Sequence, residues 1–356
     1  MGTRHSTLSI AIVLVFAMGQ PAGAQLAPDL AYVGVNRPIP MRVAPPPDAD
    51  AHARLEVALF DAGGVEIAHS VLVGAGAVDL AALFPSIWTS ATWPLCFAQL
   101  IVDGVQVGPP VVIQPLDTPA LAEDGLTSRV RSSDVPLREL AALPKAMRDK
   151  LAEETVIEQP TSSLRNGVYL WVDQRIILDT DAGEIEIALR PDVAPNTCRH
   201  VLKLTQGGLY QDMPFHRVIA ADPQGRPFII QTGDPTGTGA GGCGESIDFE
   251  ASTLPHDFGV VSMARKPDDP NSASSQFFIC LSREGCAALD GRFTAFGTVV
   301  QGEDAIATIA ATPTGANGRP IDPPMVRRAY TIDAPTIAER TAETPIEPVA
   351  TEPAPR

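Results

Sequence analysis

The residues able to do chemistry sit in the second half of the chain. They occur in four short stretches: Phe215-His216-Arg217-Val218, Phe228-Ile229-Ile230-Gln231, Ser274-Ser275-Gln276-Phe277-Phe278-Ile279 and Leu289-Asp290-Gly291-Arg292-Phe293. They supply two guanidinium groups, on Arg217 and Arg292, two side-chain amides and several large apolar groups, but no marked nucleophile. No Gly-x-Ser-x-Gly elbow or His-Glu-x-x-His pair is present, and His200, His216 and His256 lie far apart. These absences argue against acyl-transfer hydrolysis and a metal centre. Carboxylates are numerous but scattered, so no paired-carboxylate hydrolase is indicated. Gly237, Gly239 and Gly242 match a Gly-x-Gly-x-x-Gly spacing. The stretch behind them, Ser246–Glu250, is no amphipathic helix, so the string reads as a loop needing open backbone angles rather than a dinucleotide cradle. Chemistry that needs a guanidinium, amides and apolar walls, yet no bond-breaking group, is rotation about a bond.

The elements around these stretches are mostly strands. Arg175–Thr180 and Glu184–Leu189 flank Asp181-Ala182-Gly183 as a hairpin, and Pro195–Gln206 reads as a helix. Further strands are expected at 215–218, 228–231, 259–264, 276–280, 293–300 and 326–332, with a second helix at 303–311. Alternation puts Phe215 with Arg217, and Phe228 with Ile230, on one side of their strands. Many strands and two helices point to a closed barrel with helices over its ends, since closure removes exposed edges.

Four stretches, "FHRVI", "FIIQTGDPTGTGAGG", "NSASSQFFI" and "LDGRFTAFGTVVQGED", resemble the cyclophilin family of peptidyl-prolyl cis-trans isomerases over about residues 170–333, in its bacterial-like form. The resemblance implies an eight-stranded antiparallel β-barrel capped by two helices, with an outer-surface groove and no cofactor or metal. It implies Arg217 as the catalytic arginine, contacting the carbonyl before the proline, and Gln231 as its orienting partner. Phe228, Ile229, Phe278, Leu289 and Phe293 would wall the proline pocket, while Ala264 and Gln276 would hold residues before the proline. Three departures bear on rate and specificity. Residues 220–227 replace a two-residue turn, Ala288 replaces a tryptophan found in some relatives, and Arg265 replaces a common asparagine. Two readings compete with an isomerase: a non-catalytic proline-peptide-binding module of the cell envelope, and a structural envelope protein.

The rest of the chain sets the context. It has 356 residues, 34 Pro, 29 Gly and a net charge of −16, which argues against a phosphate-backbone binder. Arg4, the apolar run Leu8–Met18 and Ala22-Gly23-Ala24 read as an export signal over residues 1–24, too short to span a bilayer. A periplasmic or extracellular protein is therefore expected, a monomer by default, with proline-containing unfolded or flexible segments of exported proteins as its partners. Residues 25–115 read as short strands of a small β-sandwich, including a half-buried Leu55–Leu59 and a hairpin about Asp103-Gly104. Residues 116–164 read as a partly helical linker, 165–333 as the isomerase domain, and 334–356, rich in Pro, Glu and Thr, as a disordered tail. Five cysteines without a Cys-x-x-Cys pair read as buried thiols, with a Cys280–Cys286 bridge as the alternative.

Overall fold

A computed structural model describes residues 25–70, 72–90, 93–119 and 163–349. The expected export signal and most of the linker lie outside these residues. Among them, no helix is long and apolar enough to cross a membrane.

The first unit is built from β1 (Leu26–Pro28), β2 (Tyr32–Gly34), β3 (Pro40–Val43), β4 (Leu55–Phe60), β5 (Glu66–His69), β6 (Gly76–Asp79), β7 (Cys96–Val102), β8 (Val105–Pro119) and β9 (Ser163–Val172). A three-stranded sheet, β1-β3-β6, faces a six-stranded sheet, β2-β9-β8-β7-β4-β5. Leu26, Ile39 and Met41 of the smaller side meet Val57, Leu59, Leu100, Val111 and Leu170 in one core. The helical turns α1 (Leu80–Leu83) and α2 (Ser86–Thr89) lie between β6 and β7. Strand β8 runs straight through Pro109-Pro110, where the sequence suggests a break. The β7–β8 register shifts between Ala98 and Leu100, a bulge that accommodates residues unable to donate to the ladder.

The second unit comprises β10 (Gln174–Thr180), β11 (Gly183–Leu189), α3 (Pro195–Gln206), β12 (Met213–Pro214), β13 (Arg217–Ala221), β14 (Pro227–Thr232), β15 (Val260–Met263), β16 (Phe277–Cys280), α4 (Arg283–Cys286), β17 (Ala295–Gln301), α5 (Glu303–Ala310) and β18 (Met325–Asp333). Its nine strands run β12-β18-β10-β11-β17-β15-β16-β14-β13, antiparallel throughout. The sheet curls around one core that joins Leu178, Ile187, Val218, Ile230, Met263, Ile279, Phe296 and Val326. This corrects the expected closed eight-stranded barrel with two helices: the sheet is open, and the short α4 adds to α3 and α5. The two-residue β12 forms one edge, and β13 the other. Helix α3 has Pro195 in its first turn and no side-chain cap of its own. The Glu250 carboxylate fills that role, accepting from the Asn196 and Thr197 amides at 3.0 and 2.7 Å.

The segment expected to be a disordered tail is folded over its first part. Helix α6 (Ile337–Thr341) starts with a capping box between Thr336 and Glu339. Ile337 is buried with Ala58, Phe60, Phe97, Ile101 and Val112 on the second face of the six-stranded sheet. Strand β4 is therefore buried on both faces, not one. The Ile337 and Ala338 amides donate to Gln99 and Gln106, and Arg340 reaches the buried Asp173 carboxylate at 2.6 Å. A composition poor in apolar residues still orders when one isoleucine finds a preformed apolar face. β9 likewise pairs with β8 in the first unit, although its residues from 165 onward are expected in the second. Ile337→Ala should therefore cost about 2–4 kcal/mol in denaturant unfolding of the full chain, whereas truncation of a free tail residue would cost almost nothing.

Candidate active site

Arg217 opens β13 and stands opposite Gln231 of β14, which in turn stands opposite Phe278 of β16. A polar relay crosses these strands. The Gln276 Nε2 amide donates to the carbonyls of Gly239 and Gly241 at 3.1 and 2.8 Å. Its Oε1 accepts from Gln231 Nε2 at 2.8 Å, and Gln231 Oε1 accepts from Arg217 Nη1 at 3.3 Å. Each amide has one donor and one acceptor end, so the glycine-loop carbonyls set the direction of the whole chain. Arg217 is exposed at the far end, with donors left over for a ligand. Partial burial lowers its pKa, but a guanidinium stays charged at neutral pH.

The glycine loop is itself held by a buried carboxylate. Asp234 accepts from the amides of Thr236, Gly239 and Gly241 at 2.8, 2.6 and 3.1 Å and from the Thr236 hydroxyl at 2.8 Å. Gly233, at φ +94°, leads in. A Cβ there would lie 2.3 Å from the Ser275 carbonyl oxygen, so no side chain fits. Ser275 donates to the Gly233 carbonyl at 2.7 Å, and Tyr210 donates to the Ser275 carbonyl at 3.0 Å from the core side.

Beside the relay is an apolar cluster separate from the main core. Buried Ile229, Phe278, Val260 and Cys280 form its floor, with Phe228, Ala264, Leu289, Phe293 and Ile219 partly open around it. The expected pocket residues are thus brought together with Gln231 and Gln276 at their edge. Phe278 and Phe293 meet edge to face at 5.7 Å. Arg265 lies over the Phe293 ring at 4.8 Å and donates to the carbonyls of Arg292, Lys266 and Pro267, so its charge is spent on its own loop. Ala288 is exposed. The five cysteines are free thiols, and burial pushes the Cys96 thiol up to about 12.

Two alternation-based expectations fail here. Phe215 precedes β13 and is buried in the main core, while Arg217 faces out. Ile230 enters that core too, whereas Phe228, at the start of β14, joins the outer cluster. Strand parity holds only inside a regular strand, and both residues sit at or before an end.

One set of residues escapes sequence reasoning. His256 stacks on Phe278 at 6.1 Å, its Nδ1 3.1 Å from Asp290 Oδ1 and its Nε2 3.0 Å from Ser262 Oγ. Arg283 pairs with Asp290 at 2.6 Å. The residue types match a hydrolytic triad, but Ser262 and His256 are 0 % and 1 % exposed, so no carbonyl can reach the hydroxyl. Burial lowers the His256 pKa, and the neutral ring supports Phe278 from behind. Only tertiary contact joins Ser262, His256 and Asp290; no local spacing marks them.

A cleft of about 970 Å³ opens beside Arg217, lined by Ile219, Gln231, residues 220–223, Thr238-Gly239 and part of 314–319.

The site is thus a guanidinium steered by two amides, next to an apolar cluster on the outside of a curled antiparallel sheet. The chain belongs to the cyclophilin-type peptidyl-prolyl cis-trans isomerases. The family model described as "Cyclophilin type peptidyl-prolyl cis-trans isomerase/CLD" matches residues 175–331. Peptidyl-prolyl cis-trans isomerase-like 1 of Aspergillus fumigatus is 38 % identical over 163 residues, 44 % of this chain and 95 % of the relative. The like-named protein of Rhizopus delemar is 41 % identical over 151 residues, 41 % of this chain and 86 % of its own. A solved Cryptosporidium parvum cyclophilin-type isomerase has 33 % sequence identity, covers 46 % of this chain and 99 % of its own, and has a TM-score of 0.41. The family match leaves the first unit outside it.

The loop carboxylate gives a pH test. Burial alone would raise the Asp234 pKa, but hydrogen bonds from Thr236 and the Gly241 and Gly239 amides outweigh it, taking the value from 3.8 to about 2. Because the folded value is depressed, the stabilisation is whole above the ordinary carboxylate range and is lost as pH falls from about 4 toward 2. Asp234→Asn places an NH₂ among amide donors. It should cost about 1–3 kcal/mol in chemical denaturation and flatten the acid limb of the stability profile.

Proposed function

We propose that this isomerase turns X-Pro bonds in unfolded or flexible segments of exported proteins, through stabilisation of the twisted imide by Arg217. The observation that carries the mechanism is the Arg217 guanidinium, held at 3.3 Å by Gln231 at the rim of the apolar cluster. Amide resonance sets a rotation barrier of roughly 18–20 kcal/mol, and uncatalysed X-Pro exchange takes about tens to hundreds of seconds. When the bond twists, conjugation breaks and the imide nitrogen regains a lone pair that can accept a hydrogen bond. A donor already fixed in place stabilises that state more than the planar ground state, and this difference lowers the barrier. Phe228, Ile229, Phe278, Leu289 and Phe293 would anchor the pyrrolidine while the preceding carbonyl swings, with Ala264 and Gln276 beside the residues before it. Export rests on the signal-like residues 1–24. The 220–227 insertion is no argument for a blocked pocket: residues 220–223 line the cleft beyond Arg217 and none belongs to the apolar cluster.

The test is cis–trans exchange of a short X-Pro peptide, followed by NMR with the full chain and with Arg217→Ala. The parent should accelerate exchange, and the variant, whose lost side chain is exposed, should stay folded with kcat/KM down by about 10²–10³. A parent that binds the peptide while exchange stays at the uncatalysed rate would establish a binding module instead.

A further inference from the structure

We propose that the insertion 220–227 and the loop 314–319 form a second recognition cleft, which selects an acidic side chain within a few residues after the substrate proline. This rests on the isomerase reading of the site and adds a substrate preference to it. In the sheet order β16-β14-β13, the apolar pocket lies mainly over β14 and β16, with Ile219 of β13 at its border; the cleft begins at Ile219 and Arg217 and continues past β13. A peptide whose preceding residues lie toward Ala264, on the β15 side, runs its following residues past Arg217 into this cleft.

The cleft is a built feature. β13 and β14 extend as a ladder to Ala221 opposite Pro227, and Asp222 closes the tip. Its carboxylate accepts from the Gln224 and Arg226 amides, both at 2.9 Å, and pairs with the Arg226 guanidinium at 2.6 Å. The opposite wall is equally constrained. Asn317 and Gly318 have φ of +59° and +72°, and a Cβ on Gly318 would come within 2.7 Å of the Val218 carbonyl oxygen. Between these walls His216 is 6 % exposed, and its ring nitrogens lack well-formed hydrogen bonds, although Gln276 and the Pro214 carbonyl are close enough to influence its charge.

Charge selects the occupant. The charged residues lining the cleft are Arg217, Arg319 and Asp222, and Asp222 is already neutralised by Arg226. What remains is two exposed guanidinium groups on a chain of net charge −16. Arg217 is committed to Gln231 and the bond that turns, whereas Arg319 makes no side-chain hydrogen bond or ion pair among the described residues and is free to meet a carboxylate.

The experiment compares three X-Pro peptides differing only at the second and third positions after proline, carrying Glu, Ala or Lys, with the full chain, Arg319→Ala and Arg319→Glu. Both peptide affinity by NMR titration and exchange rate are read. The Glu peptide should bind about three- to fivefold tighter than the Lys peptide. Raised salt should shrink the gap, Arg319→Ala should abolish it, and Arg319→Glu should reverse it. Equal affinities in the parent, or a preference untouched in Arg319→Glu, would overturn the cleft while leaving the isomerase intact. A preserved acidic preference with no accelerated exchange would do the converse, retaining the cleft and removing the catalytic reading.

Discussion

The site depends on the direction of one hydrogen-bond relay. Carbonyl oxygens can only accept, so Gly239 and Gly241 oblige Gln276 to offer them its NH₂ end. That turns its oxygen to Gln231, whose own oxygen then faces Arg217. A flip of Gln231 would place NH₂ against a guanidinium, and a flip of Gln276 would place its oxygen against two carbonyls and its NH₂ against that of Gln231, so the arginine is oriented by the polarity of a loop two residues removed from it. Asp234 keeps those carbonyls in place by collecting the loop's amides on one carboxylate. The glycine-rich string therefore has a mechanical role, holding the two amides that orient Arg217.

A second layer of order lies behind the pocket. Phe278 is fixed in front by Phe293 and behind by the His256 ring, which is held at both nitrogens by Asp290 and Ser262. Apolar walls alone would let an aromatic ring choose among rotamers. A stacked, hydrogen-bonded imidazole narrows that choice, so the wall opposite Arg217 has a defined shape before any substrate arrives.

Much of this was legible in the residues. The helix at Pro195–Gln206 was readable from its spacing, as were the hairpins about Asp181-Gly183 and Asp103-Gly104. The apolar residues singled out for the pocket do meet in one cluster, and Arg217, Gln231 and Gln276 do join in one relay. What escaped has physical causes. Whether nine strands close or stay open depends on edge pairing, which a two-residue strand such as Met213–Pro214 does not announce. Strand parity misplaced Phe215 because the chain is irregular before Arg217. Low hydrophobicity suggested that residues after 333 could not order, yet Ile337 needed only a surface already built by Phe60, Phe97 and Val112.

Gln174 and Asp333, the first and last residues of the curled sheet, are paired with each other. The chain thus enters the isomerase from β9 and leaves it toward α6 at one spot, and both flanking segments belong to the sandwich. The catalytic unit is in effect an insertion in the other one. On the ribosome this imposes an order of events. The sandwich sheet is made early, but the helix that covers its second face emerges only after the whole isomerase has been synthesised. Until then Phe60, Phe97 and Ile101 lack their Ile337 cover, and the first unit made is the last to be sealed.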